Sequence, residues 1–172
     1  MRACVVLAAA AIASAGAAAP SLAGSGGSRC LSSKLRVRLR GGVAAGSVGD
    51  TVTFTSVAAS TCTLRGYPKL QMLTANGHRL ATHLRRGASV TVPAMPTRTV
   101  TLVPGAAASF DLGYADATGY ARLKCPTSAR VKITPPKSTG QITVSWHLQP
   151  YGGSIEHLRC GIITVSPVFA GR

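Results

Sequence analysis

Thr61-Cys62-Thr63-Leu64-Arg65-Gly66-Tyr67-Pro68-Lys69-Leu70 runs directly into Gln71-Met72-Leu73-Thr74-Ala75-Asn76-Gly77-His78-Arg79-Leu80. A cysteine, a Gly-Tyr-Pro corner and an Asn-Gly pair follow one another there. Gly66 accepts a positive φ, while Pro68 fixes its own φ and biases Tyr67 towards extended backbone, so the chain turns and continues as a strand. Asn76-Gly77 suits a type I′ turn, whose twist matches that of two antiparallel strands. Leu70 and Met72 share one face of the strand entering that turn. The expectation is a hairpin tipped by Asn76-Gly77, with the remaining strands paired around it.

Working outward, the chain keeps alternating. In Lys34-Leu35-Arg36-Val37-Arg38-Leu39-Arg40 the apolar residues Leu35, Val37 and Leu39 go inward, and Lys34, Arg36, Arg38 and Arg40 go outward. Asp50-Thr51-Val52-Thr53-Phe54-Thr55 repeats the period with Val52 and Phe54 inside. Arg85-Arg86-Gly87 breaks the pattern, and Pro93 and Pro96 mark a loop or an edge. Further strands are expected at 99–102, at 108–114 with Phe110, Leu112 and Tyr114 buried and Asp111 facing solvent, and at 130–133, 141–146 and 162–165. Short strands separated by turn signals, in a chain rich in Val, Thr, Ser, Ala and Gly, predict an all-β fold. The specific expectation is an immunoglobulin-like antiparallel β-sandwich of about seven to nine strands, stapled by two disulfides.

The beginning of the chain reads differently. Met1-Arg2 leads into Ala3-Cys4-Val5-Val6-Leu7 and a run of alanines, the pattern of a secretory signal peptide over residues 1–23. Ser21-Leu22-Ala23 offers the small-x-small cleavage form, and Ala19 an earlier one. The run is short and alanine-rich for a membrane span, which needs about 20 apolar residues. Residues 24–29 are expected to be a flexible N-terminus, and 30–172 a single domain. Arg29 just before Cys30 argues against lipid attachment there, so the expected product is released outside the cytoplasm and associated with the cell envelope.

Cys4 leaves with the signal, and Cys30, Cys62, Cys125 and Cys160 remain. Four cysteines in an exported chain read as two disulfides with three possible connectivities. Pairing between sequence neighbours, Cys30–Cys62 and Cys125–Cys160, is the expectation. No C-x-x-C pair is present, which disfavours a structural zinc site.

The order of these features resembles a known family. A cysteine precedes a first alternating strand and a Val-x-Phe strand; Cys62-Thr63-Leu64-x-Gly66-Tyr67-Pro68 follows, and then Val100-Thr101-Leu102-x-Pro104-Gly105-x-x-Ala108 and two later cysteines. The pattern from Cys30 to Val168 resembles the actinobacterial exported domain-of-unknown-function 4232 family, whose members are secreted proteins or lipoproteins. The resemblance implies a β-sandwich and an extracytoplasmic location, and no catalytic residue. Ser56 departs from the asparagine common in the family after the second strand.

Chemistry-bearing constellations are sparse. The four acids Asp50, Asp111, Asp116 and Glu156 are widely spread, leaving no obvious pair for glycoside hydrolysis. No G-x-S-x-G elbow occurs, and a small hydrolase would have to build a base from His78, His83, His147 or His157 with Asp116 or Glu156. A copper-type site could draw on His78, His83, Met72 and Met95, but Met72 lies on the face of Leu70, where a core methionine is the simpler reading. The expectation is therefore a non-enzymatic protein without cofactor or resident metal.

Charge is the strongest signal. The chain carries 19 Lys and Arg against 4 Asp and Glu, a net +15, or +14 once Arg2 is removed. Lys34, Arg36, Arg38 and Arg40 share one strand face with a spacing of about 7 Å, and like charges so placed repel. Arg85 and Arg86 join them as candidate contacts. Such a surface suits an anionic envelope polymer or a phospholipid surface. Few aromatics are free to stack, which argues against dedicated nucleic-acid recognition. The same charge also serves simply to keep a small exported domain soluble and monomeric.

Overall fold

The computed structural model describes residues 27–44, 47–115, 125–147 and 157–171. The signal segment 1–23 and residues 24–26 of the 24–29 stretch lie outside the described residues, as do Asp116, Arg122, Lys124 and Glu156. The described chain is all-β: β1 (Ser28–Arg29), a 3₁₀ turn (Ser32–Lys34), β2 (Leu35–Ala44), β3 (Ser47–Ser56), β4 (Cys62–Arg65), β5 (Lys69–Leu73), β6 (His83–Arg86), β7 (Thr99–Leu102), β8 (Ala107–Ala115), β9 (Arg130–Thr134), β10 (Ile142–Ser145), β11 (Ile162–Val165) and β12 (Phe169–Ala170).

These strands form three sheets, ordered β1-β4-β7, β10-β9-β5 and β2-β3-β8-β11-β6, with β12 added to β8 in the last. The organising unit is the meander of long strands, in which β2 pairs with β3 over ten residues and β3 with β8 over nine. Strict alternation explains its length. Along β3 every second residue, from Val48 to Ser56, is buried. Slipping the register by one would expose Val52 and Phe54 together, so burial fixes the pairing. Phe54 and Phe110 meet in the core with ring centroids 5.5 Å apart. All three sheets feed one core: Leu64, Val100 and Leu102 from the first, Met72, Val131 and Ile133 from the second, and Phe110, Leu112 and Ile163 from the third, with Trp146 fully buried among them.

Disulfides join Cys30 to Cys62 and Cys125 to Cys160, the two sequence-neighbour pairs. The first ties the chain just before β2 to the start of β4. Gly66 has φ 109°, so the Gly-Tyr-Pro corner turns as its residues dictate.

Several expectations change. Asn76-Gly77 does not form a type I′ turn. Only Gly77 has a positive φ, 82°, and its N–H bonds to Thr74 O, so Ala75 and Asn76 are the central residues and Gly77 closes the turn. The returning strand shrinks to one bridge, Leu73 with Arg79. Side chains do the rest: the Gln71 amide donates to Leu80 O, and the Thr82 hydroxyl accepts the Met72 N–H. β5 instead takes β9 as its ladder partner. Lys34 belongs to the 3₁₀ turn rather than to the strand after it, and Val37 and Leu39 are half-buried against the core. Arg85-Arg86, read as a break, lie in β6, which pairs in parallel with β11; β1 and β4 are likewise parallel, so the fold is not wholly antiparallel. Twelve strands occur among the described residues, β1 and β12 only two residues long, which takes the number past the seven to nine expected.

Candidate anion-contact face

Strand alternation decides which cations can act together. Arg36, Arg38 and Arg40 lie on the outward face of β2, an edge strand, opposite Thr55, Thr53 and Thr51 of β3. Those threonines stand opposite Ala107, Ser109 and Asp111 of β8. A row of guanidiniums thus borders a row of hydroxyls. Together, Arg36, Arg38, Leu39, Arg40, Thr53, Thr55 and Ala107 line a groove of about 470 Å³.

The hydroxyls are pre-set. Thr53 and Ser109 share a hydrogen bond of 2.9 Å, and Thr51 donates to Asp111 at 2.8 Å. Asp111 shares this outward face but is half-buried and engaged by Thr51. It is two strand spacings, about 10 Å, from Arg40, which is comparable to the screening length in physiological salt. Among the described residues no hydrogen bond or ion pair engages Arg36, Arg38 or Arg40. Among the described residues, then, these three exposed cations stand in line without a neutralising partner. Guanidinium forks match phosphate and carboxylate oxygens in pairs, and that is the pairing chemistry this row offers.

The remaining nominated cations do not extend it. Arg85 shares the outward face with Thr164 of β11, but β6 is the opposite edge of the sheet, four strand spacings or about 19 Å away. Residues 89–92 also pack across the sheet between the two edges. Gly49 and Gly113 face each other there without side chains, and the Thr91 hydroxyl donates to Val48 O. The Arg86 guanidinium stacks over the Tyr67 ring, 5.7 Å from its centroid. Lys34 stands at the end of the row, in its turn.

Among the described residues the metal constellation is not assembled, and the acids of the hydrolase constellation lie outside them. Met72 is in the core, Met95 lines an apolar groove with Val168 and Phe169, His78 sits beside the Thr74–Gly77 turn and His83 begins β6. Among the described residues no three His, Cys, Asp or Glu side chains come together to hold a metal. The structure does bring His147 and His157 edge to face, with ring centroids 5.4 Å apart. Ten residues separate them, and nothing local signals the contact. It follows from Trp146 bonding to Ala129 and Leu158 to Ser128 on either side of one short segment. The buried His157 Nδ1 has no hydrogen-bond partner among the described residues; Asp116 and Glu156, the acids a base would need, lie outside them. Phe54, Phe110 and Trp146 are fully buried and offer no ring face for stacking. Among the described residues no helix is long and apolar enough to cross a membrane.

The family described as domain of unknown function DUF4232 matches residues 30–168, from the first bridged cysteine to the residue before β12. The chain belongs to the DUF4232 family. No curated protein and no solved structure matches it. The match spans both disulfides and the arginine row, so these belong to the family domain and not to an appendage. Ser56 ends β3 with its hydroxyl accepting the Ala58 N–H at 3.4 Å, a local turn-forming bond.

Proposed function

We propose that this DUF4232 chain is an exported, non-enzymatic domain of the cell envelope that works by surface contact, binding anionic polymers or lipid headgroups along Arg36, Arg38 and Arg40. One observation carries the reading: three exposed guanidiniums in line over a hydroxyl-lined groove, with no ion-pair partner among the described residues. Structural ion pairs would neutralise such a row, and a polyanion relieves its repulsion more than salt does. Two disulfides support an oxidising, extracytoplasmic location. The scaffold reads as an immunoglobulin-like sandwich, the six-stranded sheet and the two smaller ones sharing one core, and the protein acts as a monomer.

The test is retention of the purified protein on isolated cell wall, membranes and DNA at low and at high salt. Retention on an envelope fraction should fall steeply with salt, and Arg36→Ala with Arg38→Ala should abolish it, while Arg85→Ala with Arg86→Ala leaves it unchanged. Retention that survives both salt and the first pair of substitutions rules the reading out.

A further inference from the structure

Where β2 begins, β3 ends and β8 begins, three connections lie side by side. Lys34 N–H bonds to Leu31 O, Val57 N–H to Lys34 O, Gly105 N–H to Ser56 O, and Ala106 N–H to Val103 O, so the turns are laced into one end of the sheet. Each turns one large aliphatic side chain to solvent: Leu31 is 63% exposed, Val57 49% and Val103 53%. Five large hydrophobic side chains are exposed among the described residues, and three of them stand on this one end. Single exposed aliphatics need no explanation, but three on adjoining turns form a patch.

Among the described residues the charge around the patch is of one sign. Lys34 is exposed in the first of these turns, and Arg36, the second residue of β2, opens the arginine row just behind it. The two described acids are remote: Asp50 pairs with Gly41 towards the other end of β2, and Asp111 lies opposite Thr51. A soluble anionic polymer would use the row and leave the aliphatics without a role. A bilayer uses both, with aliphatic side chains entering the headgroup–acyl boundary and cations at the level of the phosphates.

We infer that this end of the domain docks on an anionic phospholipid bilayer, with Leu31, Val57 and Val103 entering the interface and Lys34 and Arg36 on the headgroup phosphates. The inference rests on the anion-contact reading above and narrows it to one partner. It is tested by co-sedimentation of the protein without its signal segment 1–23 with phosphatidylcholine vesicles, with and without phosphatidylglycerol, using soluble inorganic polyphosphate as the non-lipid comparator.

The expected result is binding to the phosphatidylglycerol vesicles alone. The triple variant Leu31→Ser, Val57→Ser, Val103→Ser should lose at least tenfold in vesicle binding and keep its polyphosphate binding. Leu31→Ser alone, at the most exposed of the three positions, should show a smaller loss in the same direction and serves should the triple variant not fold. Lys34→Ala should weaken vesicle binding about fivefold, the value of one cation near an anionic surface. Vesicle binding unaffected by the aliphatic substitutions, or polyphosphate binding without vesicle binding, overturns the lipid inference and leaves the anion-contact reading standing. If Arg36→Ala with Arg38→Ala changes neither vesicle nor polyphosphate binding, the anion-contact reading falls with it.

Discussion

Gly113 shows how one residue limits the arginine face. It points outward from β8 beneath residues 89–92, where an added Cβ would run into the Thr91 hydroxyl and come within 3.0 Å of Val92 Cγ2. Val92 is itself buried, so the segment cannot yield freely. Gly113→Ala should therefore cost about 1–3 kcal/mol, the usual penalty of overpacking, seen as a lower midpoint in urea unfolding. An unchanged midpoint would mean that residues 89–92 lift off the sheet at no cost. At this scale the sequence is readable where the physics is local. Val52, Phe54, Phe110 and Leu112 are buried as their alternation predicts, because period two and burial suffice to place them. Gly77 is subtler: an Asn-Gly pair announces a turn but not its register, and here the turn sits one residue earlier than a type I′ turn requires.

At the scale of elements, the first disulfide holds the entry to β2. It closes a separation of 32 residues, for which the chain-entropy model gives about 3–4 kcal/mol. Replacing Cys30 and Cys62 by serine should lower stability by about 2–5 kcal/mol in denaturant unfolding, with the spectrum of the folded state retained. A loss below about 1 kcal/mol would show that the β2–β3 ladder holds this region by itself. Strand identity was legible for β2, β3 and β8, whose patterns are long and regular. Partner choice was not. β6 is an exposed four-residue strand whose parallel partner begins 79 residues later, and no periodicity in His83-Leu84-Arg85-Arg86 encodes that contact. For this reason Arg85 and Arg86 could be grouped with the β2 arginines by charge alone, whereas the sheet order sets them at its far edge. The His147–His157 contact is illegible in the sequence for the same reason.

For the whole molecule, the imbalance of charge is what remains after folding. Of the four acids, the two described lie within the sheet rather than on the arginine row, Asp50 buried and Asp111 engaged by Thr51. The excess of cations was plain in the composition; which of them act together required the topology. The most direct measurement is the salt dependence of polyphosphate binding for the wild-type protein and the Arg36→Ala, Arg38→Ala, Arg40→Ala variant. If the row is the contact, the logarithm of the binding constant falls steeply with the logarithm of salt. Each lost anion contact should then flatten the slope by about 0.7, as for single-stranded phosphodiesters, so the triple variant should flatten it by about 2. Equal slopes for wild type and triple variant, with the change appearing instead in the Arg85→Ala, Arg86→Ala pair, would contradict the account.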